Sequence, residues 1–170
     1  MALQQTHLHL IPPGEHRPHE DSVHDFEKSL QEKQLTAEEY ELFLKKGSDS
    51  LYAFLTEKYD SFSEEQKVEL SFSHQQVILG NAHLTGALDL VDINNTDKTI
   101  HVTDYKTGKA ARSWQGKTDY EKIKLHKYKK HHMFNKLLVE QSRTFNKYTV
   151  DVGTLQFVEP TPSGEIVSLD

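Results

Sequence analysis

Asp89, Asp104 and Lys106 are the residues whose types and spacing point most directly to chemistry. Residues 83 to 93 and 98 to 105 are rich in strand formers, and Asn94-Asn95-Thr96-Asp97 between them has turn chemistry, so a hairpin is expected. With those four residues as the loop, Ile93 faces Lys98, Val102 faces Asp89 and Ala87 faces Asp104. Side chains alternate along a strand, which puts Asp89, Asp104 and Lys106 on one face. The two carboxylates become diagonal neighbours, about 7–8 Å apart at the backbone, and a one-residue slip would separate them. Converging carboxylates repel each other and select a hard cation, Mg²⁺ or Mn²⁺. Such an ion polarises a phosphoryl oxygen and acidifies a bound water, while a nearby ammonium orients that water or stabilises the developing charge. The chemistry these residue types would support is phosphodiester hydrolysis. The competing reading of Asp104-Tyr105-Lys106-Thr107-Gly108 is a strand running into a turn with exposed charges.

The charge distribution bears on that choice. The 170 residues carry a formal charge of −6, which by itself argues against a polyanionic partner. Residues 1 to 70 hold 15 acids against 7 Lys or Arg, whereas residues 106 to 136 hold 10 Lys or Arg against 2 acids. The positive run therefore begins at the acidic motif itself. It is either a solvated helix face or a phosphate-binding surface. Lys109, Arg112 and Lys127 lie among Trp114, Tyr120 and Tyr128, a mixture suited to holding phosphates while stacking bases; core packing of Tyr128 and a loop-capping Trp114 is the alternative. The chain has no cysteine, so disulfides and thiolate metal sites are excluded, and this suits a reducing cytoplasm. No apolar run is long enough to cross a bilayer, and the N-terminus lacks the layout of a signal peptide.

The elements that must position these residues can be read from periodicity. Residues 1 to 20 mix histidines with prolines and form an irregular arm, in which His7, His9, His16 and His19 lack carboxylate partners at metal-ligand spacing. Val23, Phe26 and Leu30 predict a helix over residues 21 to 32. Thr36 and Glu39 fit a capping box, opening a longer helix with Tyr40, Phe43, Leu44, Leu51, Phe54, Leu55 and Tyr59 inward and Gly47 as an interruption or kink. Alternation then predicts strands at residues 68 to 72 and 77 to 79, ahead of the hairpin. A helix follows over residues 120 to 140 with Ile123, Leu125, Tyr128, Met133, Leu137 and Leu138 inward, and strands at 148 to 158 and 165 to 169 close the chain around a turn at 160 to 164. This order predicts an α/β fold, an α+β sandwich, with residues 21 to 170 as a single domain.

Leu84-Thr85-Gly86-Ala87-Leu88-Asp89-Leu90-Val91-Asp92 followed by Val102-Thr103-Asp104-Tyr105-Lys106-Thr107-Gly108-Lys109 resembles the paired motifs of RecB-family PD-(D/E)XK nucleases, as found at the C-terminal end of UvrD/Rep-like superfamily I DNA helicases. The resemblance is strongest from about Thr85 to Glu140. It implies a restriction-endonuclease-like core with a mixed central sheet flanked by helices, and DNA, as single strands or ends, as substrate. It also implies roles in repair or recombination beside a superfamily I helicase motor, in the same polypeptide or complex. By the same resemblance Asp89 and Asp104 are metal ligands, the Tyr105 backbone carbonyl completes part of the shell and Lys106 is the catalytic lysine. Relatives carry a metal-binding histidine on an early helix, for which His24 is the nearest candidate, against an exposed helix histidine. Glu69 is a candidate extra acid, against a surface carboxylate. The family's downstream helix carries Gln and, four residues later, Tyr; here those positions are His131 and Asn135. His131 is thereby a candidate DNA contact. The departure leaves two readings open, an active metal-dependent nuclease and a nuclease-like binding or scaffolding module that has lost turnover. A hydrolase of a small phosphorylated substrate is a third.

Overall fold

The computed structural model of the chain describes residues 17–63 and 65–170. His7, His9 and His16 lie outside these residues. Packing groups the chain into two compact units, one made of the described part of Met1–Glu64 with Thr107–Ala110 and Phe157–Val167, the other of Glu65–Lys106, Ala111–Gln156 and Ser168–Asp170.

The first unit is built on helices α1 (His19–Gln31) and α2 (Ala37–Lys58), followed by a 3₁₀ turn at Tyr59–Ser61. The expected capping box is present: the Thr36 side chain accepts the Glu39 amide and Glu39 reaches back to the Thr36 amide. Gly47, expected to interrupt α2, lies in the middle of an unbroken helix. Its smallness serves packing instead, because a Cβ there would come within 2.2 Å of Phe26 Cζ on α1. Leu51, Phe54, Leu55 and Tyr59 are buried as expected, whereas Phe43 is 43 % exposed. His19 packs edge-on against Tyr52, with ring centres 5.1 Å apart.

The second unit carries the sheet. Its strands are β1 (Lys67–Ser71), β2 (Val77–Leu79), β3 (Ala82–Leu84), β4 (Ala87–Asn94), β5 (Thr99–Lys106), β6 (Thr149–Phe157) and β7 (Ser168–Leu169), with α3 (Asp119–Glu140) between β5 and β6. The order β1-β4-β5-β6-β7 forms a five-stranded mixed sheet, while β2 and β3 pair separately. The fold is therefore mixed α/β, as expected. The single strand expected over residues 83 to 93 is divided at Thr85-Gly86. There the Gly86 carbonyl accepts the Phe72 amide at 2.8 Å, and a Cβ on Gly86 would come within 2.8 Å of Leu138 Cδ1 on α3. The last strand is shorter than expected, only Ser168–Leu169, because Thr161 binds the Glu165 carbonyl through its amide and the Glu165 amide through its hydroxyl, prolonging the turn.

The β4–β5 hairpin departs from the expected register by one loop position. Asn94 pairs with Thr99, Val91 with Val102 and Leu90 with Thr103. Asn94 Oδ1 accepts the amides of Thr96 and Asp97 at 2.9 and 3.0 Å, which fixes the tip and leaves Asn95 to Lys98 as the loop, with Lys98 at φ +56°. The shift moves the pairing by two residues, so every side chain keeps its face. Val91, Val102 and Ile100 join Phe72, Val77, Leu88, Leu138 and Val139 in one buried cluster, which seats α3 on the sheet.

The amphipathic reading of α3 is partly corrected. Leu125 and Leu138 are buried, but Ile123 and Met133 are 58 and 71 % exposed, and the polar Asn135 is buried instead. The helix starts at a second capping box, Thr118 with Glu121. Thr118→Ala is expected to cost about 1 kcal/mol, read as a lower denaturation midpoint with an unchanged slope. An unchanged midpoint would mean the cap is not limiting.

Candidate active site

Val102 and Asp104 are two apart on β5, so the alternation that buries Val102 also aims the Asp104 carboxylate at the face covered by α3, where it meets His131. The paired ladder ends at Leu90 and Thr103, one step short of Asp89 and Asp104, and the two carboxyl groups lie close enough for Asp104 to act on Asp89 both as a charge and as a hydrogen-bond partner. Asp89 Oδ2 accepts the Tyr105 amide at 2.9 Å, which fixes its position at the end of the ladder.

Asp104 is 4 % exposed. Its Oδ2 is buried without a hydrogen bond of good geometry, yet it lies 2.6 Å from Lys106 Nζ and 3.2 Å from His131 Nδ1. The charge is therefore balanced by proximity and not by directed bonds, and His131 contributes to the balance only when protonated. Burial pushes the Asp89 carboxyl above its ordinary range, and the Asp104 charge adds to the shift; the Tyr105 amide and Lys106 oppose it. The Tyr105 phenol is likewise raised by burial, and then by Asp89 and Asp92.

Helix α3 supplies the rest of the surroundings. Lys106 Nζ lies 5.5 Å from the centre of the Tyr128 ring, and Lys124 Nζ lies 5.6 Å from it, so Tyr128 is a cation-binding platform beside the carboxylates. His132 is held neutral by burial, which outweighs the opposing pull of Asp104, and its Nε2 is buried without a hydrogen bond. Trp114 meets His132 edge-on at 5.9 Å, with Lys129 Nζ 5.4 Å from its ring centre.

The sequence-selected residues thus fall into groups. Asp89, Asp104, Lys106, Tyr128 and His131 form one constellation. Trp114 belongs with His132 and Lys129. Arg112 and Lys127 are exposed residues of the sheet unit, and Lys109 is an exposed residue of the helical unit, following Gly108 at φ +88°. Glu159 anchors that turn by accepting the Gly108 amide at 2.7 Å. His24 sits on α1, 61 % exposed and 3.9 Å from Glu27. Glu69 is exposed and interrupts the β1–β4 ladder with φ +49°, unusual for a non-glycine residue. Sequence reasoning missed His132 and Lys129; the paired histidines at the end of a basic, aromatic run were the available signal.

The donor set fits a divalent cation. Two carboxylates face each other, one has a buried oxygen without a directed bond, and both offer the hard oxygen that Mg²⁺ or Mn²⁺ prefers. Among the described residues no group of three or more His, Asp or Glu side chains is arranged to hold a metal ion. No helix among the described residues is long and apolar enough to cross a membrane.

Comparison with curated proteins finds no match. The family profile described as the PD-(D/E)XK nuclease superfamily matches residues 2–137, a span that contains both carboxylates, the lysine and most of α3. On that match, which covers well over half of its length, the chain belongs to the PD-(D/E)XK nuclease superfamily.

Proposed function

We propose that this chain is a metal-dependent DNA nuclease domain that hydrolyses phosphodiester bonds at Asp89, Asp104 and Lys106. The observation that carries the reading is the buried Asp104 carboxylate facing Asp89 with the Lys106 ammonium 2.6 Å away, in a chain of a nuclease superfamily. Asp89, Asp104 and the Tyr105 carbonyl would hold Mg²⁺ or Mn²⁺, which supplies Lewis acidity toward the scissile phosphate and lowers the pKa of the attacking water. The remaining work falls to the protein. Lys106, whose ammonium lies 2.6 Å from Asp104, would orient the water and stabilise charge developing on the phosphate. Tyr128 keeps the ammonium near the reaction centre, and His131 on the facing helix contacts the phosphate backbone. Single strands or ends presented by a superfamily I helicase motor are the substrates this reading favours, within repair or recombination.

A second reading rests on the same contacts. Lys106 lies against Asp104 with His131 on its other side, which is how a nuclease fold that no longer recruits metal would stabilise its site. The deciding assay incubates the chain with labelled single-stranded DNA in Mg²⁺, in Mn²⁺ and in chelator, beside Asp104→Ala. Cutting that requires metal and disappears in the variant is expected. DNA retained without cutting would favour the binding module, and turnover of small phosphate esters without DNA affinity would overturn both.

A further inference from the structure

We propose that the cleft between Trp114, α3 and β6 binds one unpaired base of a DNA single strand next to the cleavage site, making the domain selective for single strands over duplex. The inference rests on the nuclease reading above and names the site that would grip an unpaired strand, which that reading leaves unassigned. The cleft measures about 390 Å³, and its lining includes Trp114, Lys129, His132, Met133, Asp151 and Gly153. That volume falls at the low end of ligand clefts, roughly 300–1,000 Å³, and suits a nucleotide-sized unit far better than a paired duplex.

Its lining has the two properties that a strand of unpaired nucleotides requires. Trp114 supplies a π-surface and Met133, 71 % exposed, supplies a polarisable apolar wall that adapts to any base. Lys129 lies 5.4 Å from the Trp114 ring centre on an exposed side chain that can swing onto a phosphate, and Lys136 is held by Glu140 and the Val150 carbonyl. Asp151 in the lining and Glu140 beside Lys136 are the opposing charges, which leaves Lys129 as the cation offered to a phosphate. Trp114 is held in place before any ligand arrives, because its indole N–H donates to the Asp170 carbonyl and its ring meets His132. Gly153 keeps the floor open: a Cβ there would come within 2.8 Å of His132 Nδ1.

Chain connectivity links the cleft to the chemistry. His132 forms its wall, and the preceding residue, His131, lies 3.2 Å from Asp104. Asp104 and Lys106 also act electrostatically on His132, so this wall of the cleft lies near the carboxylate pair and a strand with one base in the cleft would run toward it. A base still paired in a duplex could not enter without unpairing, which is the source of the selectivity.

Trp114 is the sole tryptophan of the chain, so its fluorescence reports directly on the cleft. The full chain is titrated in chelator, where no cleavage occurs, with an oligothymidylate and with a blunt hairpin duplex of equal charge at the same salt. Quenching by the single strand and not by the hairpin is expected. Trp114→Ala, followed by anisotropy of labelled oligonucleotide, should weaken single-strand binding roughly 5- to 100-fold, the range that base–aromatic stacking is worth. Met133→Glu changes an exposed side chain, leaves the indole reporter in place, and should reduce both quenching and affinity. Equal quenching by hairpin and single strand would overturn the proposal, as would full affinity in both variants. Metal-dependent cutting without quenching would sink the cleft and leave the nuclease reading standing; quenching without cutting would support the cleft and sink the nuclease.

Discussion

Replacing Asp89 with asparagine is expected to move activity and stability in opposite directions. Loss of one of two carboxylate ligands should reduce metal-dependent cleavage by about 10²–10³-fold or more, since a bound ion contributes several kcal/mol to stabilising the transition state. The metal-free protein should nevertheless become more stable at neutral pH. Burial raises the Asp89 carboxyl, with the Asp104 charge adding to it, so ionised Asp89 is disfavoured by folding. A carboxyl whose folded pKa lies above its unfolded value lowers stability as pH rises through that interval, and the penalty is fully present above the folded value. Asparagine removes the charge while its Oδ1 can still accept the Tyr105 amide now held by Asp89 Oδ2. Thermal melts in chelator at pH 5 and pH 8 test this: the variant's advantage should be larger at pH 8. Added Mn²⁺ should raise the midpoint of the unsubstituted protein but not of the variant, because only a competent site gains stability from ligand binding. A variant less stable at both pH values, with activity retained, would remove Asp89 from the proposed ligand set.

The shared face of these carboxylates was legible in the sequence for a specific reason. Strand alternation depends only on residue parity, and the hairpin error was an even shift of two, so it left the expected face of each residue unchanged, and Asp89, Asp104 and Lys106 lie together. The size of the shift was not legible because it depends on Asn94 folding its side chain onto the Thr96 and Asp97 amides. Helix α3 failed differently. Hydrophobic periodicity assigned Ile123 and Met133 to the interior, but the positions facing the sheet include buried Asn135 and half-buried His132. A helix that lines a polar site places polar groups inward, which is the case where apolar spacing ceases to mark the buried face. Gly47 shows the same limit for glycine, since its role in accommodating Phe26 arises from packing between two helices and not from α2 alone.

Phe72→Ala is the substitution expected to damage the fold most, and through the fold the site. Its side chain is fully buried in the cluster that includes Val91 from β4, Val102 from β5, and Leu138 and Val139 from α3. Phe145 packs against it with ring centres 6.1 Å apart. Phe-to-alanine changes in such cores typically cost about 3–5 kcal/mol, the transfer term plus the cavity left behind, against a total stability on the order of 5–15 kcal/mol. The backbone bond from the Phe72 amide to Gly86 should survive, since it does not involve the ring, so the loss is expected in packing of α3 and not in strand pairing. That distinction has a functional consequence, because α3 brings His131 to Asp104 and Tyr128 to Lys106. Denaturant unfolding should show the lower midpoint, and cleavage measured well below that midpoint should fall further than the folded fraction alone accounts for. Cleavage that tracks the folded fraction would mean that α3 keeps its seat without Phe72 and that the constellation is held chiefly by the β4–β5 hairpin.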